Sequence, residues 1–150
     1  MAERLRSLGG ADVLGVIALG GAIGGTARYG LLVLLPQEDT GFPWATFIEN
    51  VTGSFAIGVL MVLLTEVARP HRLIRPFLGV GVLGGFTTFS TYAVDVIVLE
   101  EAGAPGTALV YLFATLVSAL LAVWLGVVLT RALILLRRRA SSSREQKGRR

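Results

Sequence analysis

Four long apolar runs dominate the chain, Asp12 to Leu35, Trp44 to Val67, Phe77 to Leu99 and Thr107 to Leu136, separated by short polar connectors at 36–43, 68–76 and 100–106. A helix needs about 20 apolar residues to cross a hydrocarbon layer about 30 Å thick, so each run is long enough to span. The pattern predicts an all-α membrane protein with four transmembrane helices in one domain, 12–136. Pro36, Pro43, Pro70, Pro76 and Pro105 fall at or beside the ends of the runs, where a missing N–H costs least. The first run is too long and glycine-rich for the core of a cleaved signal peptide, and it lacks a small-residue cleavage site. It is expected to stay in the mature protein, preceded by an N-terminal segment at 1–11. The serine-rich, basic composition of the tail at 137–150 predicts disorder there.

Composition narrows the picture. Hydrophobic residues make up 53% of the chain and charged residues 16%, against about 25% in soluble domains. With a mean hydropathy of +0.71, little is left for an aqueous domain. Cysteine is absent, which excludes disulfides, thiolate metal sites and cysteine nucleophiles. The one histidine, His71, lies in a basic connector without an acid or nucleophile arranged round it, so no enzyme is expected. A pI near 10.3 in so apolar a chain reflects charge gathered at membrane surfaces, and nucleic acid is not an expected partner.

The placement of that charge predicts orientation. Of the 14 Lys and Arg, 13 fall on one side of a four-span topology: Arg4 and Arg6, then Arg69, Arg72 and Arg75, then those from Arg131 to Arg150. The opposite connectors carry Glu38, Asp39, Glu100 and Glu101 and no base. By the positive-inside rule the chain inserts one way, with both termini cytoplasmic. That leaves Arg28, in the first span.

The third run is irregular. Gly79, Gly81, Gly84 and Gly85 precede Phe86-Thr87-Thr88-Phe89-Ser90-Thr91-Tyr92, combining poor helix formers with hydroxyls able to bond their own backbone. Two readings stand: a local break, tolerated at membrane depth only where it is buried in protein or lines a wet cavity, or a glycine-faced helix packed closely on its neighbours.

Three stretches carry a family resemblance in register. Gly20-Gly21-Ala22-Ile23-Gly24-Gly25-Thr26-Ala27-Arg28-Tyr29, Thr46-Phe47-Ile48-Glu49-Asn50-Val51-Thr52-Gly53-Ser54-Phe55 and Gly84-Gly85-Phe86-Thr87-Thr88-Phe89-Ser90-Thr91-Tyr92 resemble the first-, second- and third-helix signatures of the Fluc/CrcB fluoride channel family. The resemblance covers roughly 15–126 and excludes the tail. It implies a passive, fluoride-selective inner-membrane channel that exports the toxic anion. It also implies an antiparallel, dual-topology dimer with a break in helix three and a structural sodium ion at its centre.

Site residues follow from that resemblance position by position. Asn50 offers neutral amide donors that attract an anion without trapping it; an interhelical hydrogen bond is the competing use. Phe89 and Tyr92 match two phenylalanines whose ring edges, positive in potential, face the anion, Tyr92 being a departure whose hydroxyl is a further donor. Tyr111, Thr115 and Ser118 fall at i, i+4 and i+7 and form a polar rail on the fourth helix, Thr115 standing where the family usually has Ser. For Ser118 a bond to its own helix backbone competes. Gly84 and Thr87 match positions whose backbone carbonyls hold the sodium, a hard cation suited to oxygen ligands. Arg28 reads as setting positive potential at a vestibule, or as an ion pair with Glu49, which replaces an apolar residue common in the family. Asp95, near the outer end of its helix, reads as an interfacial carboxylate.

The rival reading is a small proton-coupled multidrug-type exporter with the same four-helix antiparallel architecture. It needs a titratable carboxylate deep in the membrane, and Asp12, Glu49 and Asp95 all lie near helix ends. A non-catalytic helical assembly factor is a third. Balanced loop charge is what lets one chain insert both ways; this chain is unbalanced and shows no internal duplication. A heterodimer with an oppositely oriented paralogous subunit is therefore expected, with a homodimer as the alternative.

Overall fold

A computed structural model describes residues 2–67 and 71–148, with side chains described at 10–66 and 71–137. Arg69 and Pro70 of the second connector and Arg149 and Arg150 of the tail lie outside the described residues, as do the side chains of Arg4, Arg6 and the basic residues beyond Arg137. Among the described residues the chain is all helix and turn. α1 is Ala2–Leu34 and α2 is Trp44–Val62, continued by a wider π-type turn at Leu63–Val67. α3 consists of a π-type stretch, Pro76–Leu83, closed by one α turn, Gly84–Phe86. α4 is Phe89–Glu101 and α5 is Pro105–Gly148. Four stretches are long and apolar enough to cross a membrane: Gly10–Leu34, Trp44–Glu66, Pro76–Glu101, which takes in α3 and α4, and Pro105–Arg137. The chain is a multi-pass membrane protein.

The end helices reach into both terminal segments. The segment at 1–11 continues α1 from Ala2, and α5 runs on to Gly148 through the stretch whose composition predicts disorder. Extending an existing helix needs no new nucleus, and Arg, Glu, Gln and Lys are good helix formers, so serine content is a poor guide beside a helix already more than 30 residues long.

Packing follows the small residues. α1 lies along α3, α2 along α5, and α4 leans on α5. Lipid removes the hydrophobic drive between helices, leaving close backbone contact as the main attraction. A Cβ at Gly81 would lie 2.9 Å from both the Gly20 Cα and the Ile17 carbonyl oxygen, and one at Gly126 would lie 2.5 Å from the Phe55 carbonyl oxygen. The buried apolar set is small, with Leu99, Ala108 and Tyr111 at its heart, while large apolar side chains from Leu14 to Leu136 face outward, as a lipid solvent requires. α4 ends on Gly103, whose φ of 77° lets its N–H reach the Glu100 carbonyl at 3.0 Å while Ala104 N–H reaches Leu99 at 2.9 Å.

Two ion pairs tie the basic side together. Arg72 of the second connector meets Asp12 of α1, and Arg131 of α5 meets Glu66 at 2.7 Å.

Candidate functional site

Both readings of the third run hold: its glycines pack on α1, and the helix breaks. Thr87 (φ −80°, ψ 153°) and Thr88 (φ −146°, ψ 127°) are extended between α3 and α4. Several of the backbone groups freed at the break find polar partners. Thr87 donates from both its N–H and its Oγ1 to the Leu83 carbonyl at 2.9 Å, closing α3. The Thr88 Oγ1 accepts the Thr91 N–H at 3.1 Å and so caps α4.

Asn50 of α2 pins the break. Its Nδ2 donates to the Thr88 carbonyl and its Oδ1 accepts the Thr88 N–H, both at 2.9 Å. Gly53, one turn along, allows this approach, because a Cβ there would strike the Thr87 methyl. The interhelical bond and the donor role are compatible: an amide NH₂ has two donors, one goes to Thr88, and Asn50 still lines an open cleft.

That cleft has a volume of about 250 Å³ and is lined on its polar side by Asn50, Ser54, Thr87, Thr88 and Thr115, with the rings of Phe89 and Tyr92 beside them. Phe89 is 80% exposed, and its ring lies 5.7 Å from Tyr92 at a tilt of 51°. The Tyr92 hydroxyl donates to the Leu112 carbonyl at 2.7 Å, so only its ring faces the cleft. Thr115 lines the cleft, but its Oγ1 is buried and has no hydrogen-bond partner. Tyr111 is fully buried behind Tyr92, 5.4 Å away ring to ring, and donates to Asp95 Oδ2 at 3.0 Å. Ser118 is half-buried and does not line the cleft. Of the expected rail, only Thr115 reaches this surface. Ser54 and Thr88 are lining residues that sequence reasoning missed; Ser54, at i+4 from Asn50, was legible from helical spacing.

Arg28 of α1 is half-buried and forms no ion pair with Glu49, acting on it only through space. Glu49 is fully buried with both carboxyl oxygens unpartnered. Asp95 is 8% exposed and accepts a hydrogen bond from Tyr111. Both acids lie near helix ends in sequence, and neighbouring helices bury them.

The break also exposes backbone oxygens. Because Thr88 N–H is spent on Asn50, it does not close a helical bond onto the Gly84 carbonyl four residues earlier, and Thr87 is extended. Among the described residues no three His, Asp or Glu side chains cluster as metal ligands. Backbone carbonyls such as those of Gly84 and Thr87 are the donor type a hard cation takes, and two oxygens fall short of the about six such an ion binds.

The profile of the family described as "CrcB-like protein, Camphor Resistance (CrcB)" matches residues 15–127, from α1 through the cleft to α5. The chain belongs to the CrcB family. Among CrcB relatives it is 62% identical, over 108 residues, to the "Fluoride-specific ion channel FluC 2" of Streptomyces avermitilis, covering 72% of this chain and 68% of that one. It is 56% identical over 115 residues to "Fluoride-specific ion channel FluC 1" of Streptomyces coelicolor, covering 77% and 75%. It is 41% identical over 138 residues to "Fluoride-specific ion channel FluC 3" of Streptomyces avermitilis, covering 92% and 67%. The CrcB match takes in Arg28, Asn50, the break and Thr115 and stops before the basic extension of α5.

Proposed function

We propose that this chain is a subunit of a passive fluoride-selective channel in the cytoplasmic (inner) membrane, with both termini in the cytoplasm, that lets the toxic anion leave the cell. The names of its CrcB relatives support the substrate, and the charge asymmetry supports the orientation. The observation that carries the mechanism is the Asn50 amide held at the α3–α4 break with one donor left for the cleft and the Phe89 ring beside it. Neutral donors and ring edges replace part of the hydration shell while binding weakly enough to release the ion. Thr115 lines the same cleft, with its Oγ1 buried in the wall. Tyr111 and Ser118, set back from the cleft, support the rail from behind, and Arg28 adds positive potential at the approach.

Phe89 and the cleft are open on one side, which supports a second subunit covering them. The charge asymmetry favours an oppositely oriented paralogue, and Streptomyces avermitilis carries relatives numbered 2 and 3. Two such chains bring Gly84 and Thr87 carbonyls together at the centre, where a sodium ion, when bound, supplies positive charge that ties the breaks.

The test is fluoride efflux from vesicles carrying the purified chain alone or with a paralogue, driven by a potassium ionophore. Efflux that carries charge and needs no proton gradient is expected with the paralogue present. Retention of fluoride under every pairing would sink the reading. Tyr92→Phe removes the bond to Leu112 and keeps the ring, so efflux is expected within about threefold of wild type, with about 1 kcal/mol lost in a detergent melt.

A further inference from the structure

Glu49 precedes the cleft residue Asn50 by one position, is fully buried, and has no hydrogen-bond partner for either carboxyl oxygen. The elements packed on α2 leave it in this state. Arg28 of α1 acts on it through space without reaching it, and Asp95 of α4 does likewise. The Tyr111 hydroxyl of α5 donates a hydrogen bond to Asp95, not to Glu49. The Tyr92 hydroxyl of α4 donates to the Leu112 carbonyl, and α3 carries no titratable side chain. Burying a charge without a hydrogen bond costs far more than burying the neutral acid. A negative charge one residue from the Asn50 donor also opposes an anion arriving there.

We propose that Glu49 is a positioning residue that sets the charge beside the anion path. As the neutral acid it leaves Asn50 open to fluoride, and as the carboxylate it raises the barrier, so conduction falls as pH rises. The role rests on the fluoride-channel reading above. The sign is fixed by charge: proton loss adds a negative group next to a route for a negative ion.

The experiment compares wild type with Glu49→Gln in vesicles with the paralogous subunit, scoring ionophore-driven, charge-carrying fluoride efflux from about pH 5.5 to 8.5. Charge-carrying efflux is the readout because neutral hydrogen fluoride crosses lipid unaided. Wild-type efflux is expected to fall roughly tenfold across the range, the effect of a unit charge about 10 Å away at an effective dielectric constant of about 20. Glu49→Gln, similar in shape and unable to ionise, is expected to stay flat near the wild-type low-pH rate. The same slope in both proteins, or a flat wild type, overturns the proposal. Infrared difference spectra give an answer independent of flux: a carboxyl band that titrates in wild type is expected to vanish in Glu49→Gln. No such band at any pH overturns the proposal as well. A titrating band with no charge-carrying efflux at any pH overturns the channel reading and, with it, this role.

Discussion

Asn50→Asp is expected to cut fluoride efflux roughly a hundredfold in vesicles that hold wild-type levels of protein. The carboxylate still accepts the Thr88 N–H, so one of the two bonds across the break survives. What is lost is the Nδ2 donation to the Thr88 carbonyl, and an oxygen then faces an oxygen there. Leaving that carbonyl unsatisfied costs about 1–3 kcal/mol, which bends the break without unfolding helices that pack elsewhere through α1–α3 and α2–α5 contacts. The larger effect is electrostatic. A full negative charge about 5 Å from a passing anion, at an effective dielectric constant of about 20, raises the barrier by about 3 kcal/mol, or roughly two orders of magnitude in rate. Size-exclusion chromatography is expected to show the wild-type elution volume alongside the loss of efflux. Undiminished efflux from the aspartate variant would remove Asn50 from the pathway.

Four spans and their short connectors were legible because each depends on local composition read against the thickness of a bilayer. The break was legible as an option, since the glycines and hydroxyls of 79–92 weaken a helix without saying where it stops. What decides the place is Asn50, 38 residues away, which takes both backbone groups of Thr88. No local pattern encodes that pairing. Helical spacing correctly put Tyr111 and Thr115 on one face, but α4 covers Tyr111 and leaves Thr115 at the cleft, a distinction that comes from packing. For the acids, position along the helix says nothing of burial. Glu49 and Asp95 lie close to helix ends in sequence, and their burial comes from neighbours on α1, α4 and α5. The tail shows the converse failure, because serine content was weighed without the long helix that precedes it.

Gly58→Leu is expected to abolish the folded protein, where Gly25→Leu leaves it nearly untouched. Gly58 sits where α2 and α5 meet: a Cβ there would collide with the Val123 carbonyl and lie 3.1 Å from the Val127 nitrogen. Both obstacles are helix backbone, which cannot swing aside as a side-chain tip can. Gly126 faces the same seam from α5, so separating the helices to admit a leucine would open the closest contact that lipid-embedded α2 and α5 share. Overpacking that only displaces side chains costs about 1–3 kcal/mol, and here a rigid pair of helices must part, so the loss exceeds that range and approaches the whole of a small domain's stability. At Gly25 nothing lies within 4 Å of an added Cβ, and the new side chain points into free space or lipid. The measurement is the yield of monodisperse protein after detergent extraction, with fluoride efflux scored on whatever survives. If Gly58→Leu gives normal yield and efflux, the α2–α5 seam is looser than its backbone distances state; if Gly25→Leu collapses too, that face of α1 is covered by another subunit and is no free surface.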